Sequence, residues 1–331
     1  AAEQLLRVGH IDEGMRQVGQ LLRAAGMEMP RSLWAAVVSL LIRRVVLYFR
    51  GLSFKRRQAP DPQALQKLDI GWAIAAGLSN CDVIRGAEFQ AKTLLLALKT
   101  GDATRLLRFL TLEVGFVASA GRRHARRTAK LLKAVEKLSK DDDGDQLAAW
   151  PLMGTGVAAY FEGNWSLAYK SIVEAEKLYA KSPGTAWERT TASHYHIWSM
   201  VYMGKIDEMS RLVKLRLREA LDRGDLYSAT DMRIFTSNLA WLAEDKVVEA
   251  RKHVQEAMDN WSKQGFHVQH YYALFAECNI DLYDGKADQA WSRILVDWDK
   301  VKKSLLLQVQ TVFMEMHHLR ARIALQLASQ K

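Results

Sequence analysis

A local pattern returns along this chain at a nearly constant interval. A small or turn-forming residue ends one helix, an apolar residue follows two positions on, and a small or apolar residue falls five positions on, inside the next helix. It reads Gly163, Trp165, Ala168, then Gly204, Ile206, Met209, then Asp245, Val247, Ala250, then Gly285, Ala287, Ala290, at spacings of 41, 41 and 40 residues. Gly121 lies 42 residues before Gly163, Asn80 is a weaker member 41 before that, and Gly9, Ile11 and Gly14 open the chain the same way. Fixed self-similarity at such a period marks a helical solenoid. Glycine suits the tight turn because it tolerates the left-handed backbone at a helix end, and the small residue at the fifth position lets two helices approach closely. Each pair then leaves an apolar flank that only the next pair covers, so stacking is obligatory.

The expected fold is therefore all-α, a right-handed α-solenoid of tetratricopeptide-like antiparallel helix pairs. Its period exceeds the roughly 34 residues of a standard unit of that type, so each helix gains about half a turn to a turn. HEAT repeats lie nearer in period, but the turn glycine, apolar and small residues reproduce the tetratricopeptide intra-pair signature. Length agrees with repetition. A single core stops growing at about 250–300 residues, and this chain has 331. Its five prolines stand at 30, 60, 62, 151 and 183, leaving everything beyond free to run as uninterrupted helices.

The pattern divides the chain into an irregular helical opening segment, 1–61, helix-pair repeats over 62–303, and a capping helix in 304–331. Expected helices are 1–8, 11–26 and 31–50, followed by pairs 62–79 with 82–99, 103–120 with 122–140, and 147–162 with 165–181. Further pairs are 186–203 with 206–223, 226–243 with 246–264, and 266–284 with 287–303, before a long last helix over 304–329. Residues 51–61, containing Lys55, Arg56, Arg57 and Pro60, form the expected exposed loop. The chain starts without methionine in what reads as the end of a helix, which points to a piece of something longer.

Two cysteines, Cys81 and Cys278, are too few for a disulfide framework and fit a cytoplasmic protein, where the sequon-like Asn164 and Asn260 are accidental matches. Leu33 to Phe49 is the most apolar stretch, but Arg43 and Arg44 inside it argue against a membrane span and for a buried or interfacial helix. The net charge of +10 gathers in two clusters, Arg43 to Arg57 and Arg122 to Lys140, the second followed by Asp141, Asp142 and Asp143. Neither cluster is interleaved with aromatics as a stacking platform requires, so solvated helix faces are favoured over a nucleic-acid-binding array.

No catalytic constellation emerges. Gly9 and Gly14 have phosphate-loop spacing, but Met15 and Arg16 follow where lysine and a hydroxyl residue are needed. His267 with His270, and Glu315 with His318, could share helix faces, yet neither pair has a second half, so neither metal nor cofactor is expected. In tetratricopeptide-type arrays the first helix of each pair lines the concave, ligand-facing side. That register nominates His194, Trp198, Phe235, Tyr272 and Asn279, with Arg233 and Gln269 as adjacent polar groups. Such an aromatic and amide surface would suit an extended peptide or a partner helix, although each aromatic taken alone is better read as inter-repeat core.

Several strings carry a family likeness: Gly9 to Gly14, Ile84 to Ala91, Gly184 to Glu188, Arg223 to Tyr227 and Gln264 to Tyr272. Together they resemble the C-terminal helical region of large bacterial serine/threonine protein kinases in which a kinase domain and a STAND or AAA-type ATPase domain precede tetratricopeptide-like repeats. The likeness spans nearly the whole chain and is least distinctive over 122–150. It implies a signalling protein whose repeats sense a partner or ligand and control an attached ATPase and kinase. This chain has neither kinase loops nor a Walker motif, so the resemblance assigns phosphoryl transfer to no residue here and implies a sensor or protein-interaction domain that is not itself an enzyme. A passive oligomerisation scaffold is the alternative.

Overall fold

The computed structural model describes residues 5, 10–30, 32–79, 82–140 and 145–330, and every regular element among them is helical. Most of the expected helix 1–8, Gly9, Asn80, Cys81 and the turn of Asp141, Asp142 and Asp143 lie outside the described residues. The helices are α1 (Ile11–Ala24), α2 (Leu33–Arg50), α3 (Pro62–Ser79), α4 (Val83–Thr100), α5 (Ala103–Ala118), α6 (Ala125–Ser139), α7 (Asp145–Phe161) and α8 (Trp165–Lys181). They continue as α9 (Ala186–Tyr202), α10 (Ile206–Asp222), α11 (Leu226–Asp231), α12 (Leu239–Leu242), α13 (Val247–Asp259), α14 (Val268–Tyr283), α15 (Ala287–Lys303) and α16 (Gln310–Ser329). Successive helices joined by short turns pack side by side, which makes the chain an all-α stack of antiparallel pairs.

The recurring turn is built the same way each time. Gly121, Gly163, Gly204 and Gly285 all have φ between 71° and 80°, and Asp245, the one non-glycine member, also sits at φ 57°. At the last four of these turns the following amide reaches back five residues: Asn164 to Ala159, Lys205 to Met200, Lys246 to Trp241 and Lys286 to Asp281, all at 2.8–2.9 Å. These bonds satisfy carbonyls that the helix end would otherwise leave bare. The residues at the fifth position, Ala168, Met209, Ala250 and Ala290, are wholly buried, as close approach of paired helices requires. A second set of left-handed glycines, Gly184, Gly224 and Gly265, marks the turns between pairs. Helix starts follow from side-chain caps: Asp102, Asn164 and Asp225 accept from the amides of Arg105, Leu167 and Ser228.

One expected helix is broken. Residues 226–243 form α11, a 3₁₀ turn over Phe235–Asn238, and α12. Ile234 is extended and Phe235 takes φ 53°, although no glycine or proline marks the spot. Asn238 compensates, its side-chain amide donating to the carbonyls of Arg233 at 2.8 Å and Ala250 at 3.0 Å. The last helix also begins later than expected, because Leu305 adopts a left-handed conformation ahead of a short 3₁₀ turn.

The helices divide into two compact units, residues 1–6 with 13–195, and residues 7–12 with 196–331. In the first, Trp72 sits at the centre of an aromatic knot, edge-on to Phe109, Trp150 and Trp187 with ring centroids 5.5–5.7 Å apart. Against α4 in this unit lies α2, whose polarity is inverted. Arg43 pairs with buried Glu88 at 3.0 Å, and Arg44 pairs with buried Glu113, so its cations face the protein. Its outer face is apolar and open, from Trp34 at 75 % exposure through Val38, Leu41, Ile42, Val45 and Val46 to Tyr48 and Phe49, the last at 82 %.

In the second unit, α14 packs between α13, α15 and α16. Asp281 on α14 is fully buried and held by Arg251 at 2.9 Å and Arg293 at 2.6 Å, an ionic bolt between consecutive pairs.

Candidate functional site

The second unit contains an open groove of about 560 Å³, within the usual range for small-ligand sites. Three helices line it through the same register. Leu239 and Leu242 come from α12 and Ala243 from its C-cap, Asn279, Leu282 and Tyr283 from α14, and Arg322, Leu325 and Gln326 from α16, with Ile206 at the start of α10 completing the wall. Each triplet has the i, i+3, i+4 spacing of one helix face, and successive triplets stand 40 and 43 residues apart. The groove is thus encoded by the repeat, one stripe per first helix.

Its polar groups are each held by a hydrogen bond. Arg322 donates to the Asn279 side-chain oxygen at 2.9 Å, while the Asn279 amide donates to the Phe275 carbonyl at 2.8 Å, which fixes the side chain's orientation. Gln326 donates to the Leu282 carbonyl at 3.2 Å, and the Tyr283 hydroxyl donates to Asp245 at 3.1 Å. No carboxylate among the described residues pairs with Arg322, and partial burial alone pulls its pKa down. The site is an apolar trough with one uncompensated cation held by an oriented amide.

Neither a family model nor a curated protein matches the chain. The functional reading therefore rests on this geometry and on the sequence.

Of the residues nominated by register, Asn279 lines the groove. The aromatics instead pack on one another. Trp198 meets Phe235 and Tyr272 edge-on with centroids at 5.7 and 5.9 Å, and Phe235 stacks on Tyr272 at 4.4 Å. Tyr271 and Phe275 extend this cluster. Arg233 is tied to Glu256 at 2.9 Å, and fully buried Gln269 donates to Asp231 at 3.4 Å. His194 lies in the first unit, wholly buried, and burial pushes its pKa down to about 4.

Beside the cluster, partly buried Glu315 of α16 accepts hydrogen bonds from the hydroxyls of Tyr202 and Tyr271, the latter at 2.7 Å. Burial raises its pKa to about 7 even though both hydroxyls act in the opposite sense, and burial likewise raises Asp231 to about 7. The Cys278 thiol is buried, donates weakly to the Ala290 carbonyl and is pushed up in pKa, so it is protonated at neutral pH. His267 and His270 serve a helix start: the His270 ring accepts from the His267 amide at 3.0 Å, and the His267 ring accepts from the Trp261 indole at 3.2 Å. Among the described residues no three potential metal ligands converge.

Sequence reasoning missed Arg322, Leu325 and Gln326 because it treated the last helix as a cap. Extending the repeat one step past α14 would have found them, since α16 occupies the position of a further first helix.

Proposed function

We propose that this chain is the recognition module of a cytoplasmic signalling protein, a set of tetratricopeptide-like repeats that binds an extended partner segment in the groove of the second unit. The occupant is a carboxylate carried on an apolar chain, such as the free C-terminal end of a peptide with aliphatic side chains. The observation that carries this reading is Arg322, whose guanidinium borders an apolar trough with no acidic partner among the described residues and is oriented by Asn279. A planar guanidinium suits bidentate pairing with a carboxylate, and the leucines beside it suit aliphatic side chains. The sequence resemblance adds the rest of the proposal, that occupancy is relayed to serine/threonine kinase and ATPase domains of the same polypeptide. A ligand bridging α12, α14 and α16 would favour one spacing of those helices over others, and only such differential binding shifts an equilibrium.

Acetyl-Leu-Leu-Leu with a free carboxylate and the same peptide amidated are the probes, titrated calorimetrically into the purified chain. The carboxylate form should bind at least tenfold more tightly, and Arg322→Gln should abolish the difference. Equal affinity of the two forms, or a preference that survives Arg322→Gln, would refute the proposed ligand chemistry. Deleting the repeats from the parent kinase without effect on its regulation would refute the coupling.

A further inference from the structure

In an ordinary surface helix the ions face water and the apolar stripe faces the core. In α2 the arrangement is reversed, and both halves of the reversal are specific. Arg43 and Arg44 are turned inward onto Glu88 and Glu113, and Arg43 also bonds Ser39, which itself donates to Glu88 at 2.8 Å. The outward face repeats at three and four residues as Trp34, Val38, Leu41, Ile42, Val45, Val46 and Phe49, and an open, mainly apolar depression of about 770 Å³ lies beside Val38, Ile42 and Val46, with Ser39 and Arg43 on its inner border. A continuous apolar patch of this kind marks a docking surface.

Two features identify the occupant. The polar side chains that border the middle of the face, Ser39 and Arg43, are already committed to Glu88, whereas protein interfaces carry about one hydrogen bond per 100–200 Å². The Trp34 indole and the Tyr48 hydroxyl lie toward opposite ends of the exposed face, as befits aromatic residues at a boundary between hydrocarbon and water. The stretch of chain that carries the face has charge of one sign. Residues 29–60 contain no aspartate or glutamate, and Lys55 and Arg57, exposed in the loop that follows the helix, have no acidic partner among the described residues. Arg50 commits its guanidinium to the carbonyls of Gly51, Ser53 and Leu98, so it too keeps an unneutralised charge there. A second copy of this surface would bring cation to cation. An anionic headgroup layer complements it, and the acyl region beneath accepts the apolar stripe without directional bonds. No described helix is long and apolar enough to cross a membrane.

We infer that α2 is a peripheral membrane-docking helix that lies flat on an anionic lipid surface, with Trp34, Val38, Ile42, Val45 and Phe49 entering the headgroup boundary and Lys55 and Arg57 engaging acidic headgroups.

The test is co-sedimentation of the purified chain with large vesicles of phosphatidylcholine alone, or with one third phosphatidylserine, using far-UV circular dichroism to check that variants stay folded. Partitioning onto the anionic vesicles should exceed that onto neutral ones by at least tenfold and fall as salt rises. Val45→Glu with Phe49→Glu should remove at least nine-tenths of the binding, and because both side chains are exposed the fold should persist. Lys55→Glu with Arg57→Glu should erase the preference for phosphatidylserine. Failure to pellet with either vesicle would overturn the inference, as would pelleting that survives Val45→Glu with Phe49→Glu. Light scattering that shows a dimer dissolved by those substitutions, without vesicle binding, would also overturn it and assign the face to a second copy.

Discussion

Glu315→Gln isolates one proton-linked effect in the second unit. The carboxyl of this partly buried side chain lies between the Tyr202 and Tyr271 hydroxyls, and desolvation raises its pKa from 4.5 to about 7 on folding. Between those values the folded chain holds a proton that the unfolded chain has released. Stability from this group is therefore greatest below the unfolded value and is lost as pH climbs through the folded one. At about 1.4 kcal/mol per unit, a rise of about 2.5 units makes the loss about 3 kcal/mol, nearly complete by pH 8. Other buried groups act over the same range. Asp231 acts in the same sense, whereas His194 and His270, both lowered to about 4 by burial, bind protons only when unfolded and so gain stability as pH rises toward the histidine value of 6.5. The wild-type profile is a sum, and the difference between wild type and Glu315→Gln is the clean observable. Glutamine has nearly the same shape, accepts from the tyrosines and does not titrate. Urea unfolding at intervals from pH 4.5 to 8 should give near-equal stabilities at the acid end and a variant more stable by about 3 kcal/mol at the alkaline end. A difference that stays flat with pH, or that turns against the variant as pH rises, would refute the buried, protonated assignment of Glu315.

Three further substitutions probe a repeat turn, a helix interior and the buried ion pair. Gly204 has φ 71° with nothing within 4 Å of the place a methyl group would occupy, so Gly204→Ala should cost about 1 kcal/mol in a thermal or urea melt purely through backbone strain; Gly19→Ala, in the open middle of α1, should instead stabilise by about 0.5–1 kcal/mol. Asp281→Asn keeps the shape of the buried side chain but leaves Arg251 and Arg293 without their shared charge; as both arginines stay partly exposed, the loss should be about 2–3 kcal/mol, read as a lowered urea midpoint.

Much of the fold was legible because its signals are local. The expected 165–181 and 287–303 coincide with α8 and α15, and Pro62–Ser79 spans the range expected for the first helix of the first regular pair. Caps and turn glycines act within a few residues, so one sequence displays them directly. The break at Phe235 was hidden because its support is not local: Asn238 reaches the Ala250 carbonyl on the partner helix. The inverted face of α2 was hidden for the same reason. Arg43 and Arg44 were visible inside an apolar run, but their direction depends on Glu88 and Glu113, 45 and 69 residues away. For the groove, register found Asn279 and named the right helices, yet the aromatics it also chose were better at burying one another than at facing solvent. Arg322 was missed through the role assigned to its helix, since nothing about an isolated arginine separates a solvated one from one aimed into a trough.

The buried alanines at the fifth position carry a consequence for how such a chain can change length. One added residue inside α10 or α13 would turn everything beyond it by about 100°, carrying Val213 or Val254 away from the seam they fill. Gain or loss of a whole pair returns every side chain to its place, so lineages of this architecture should differ by entire rungs, with odd-sized insertions confined to the turns.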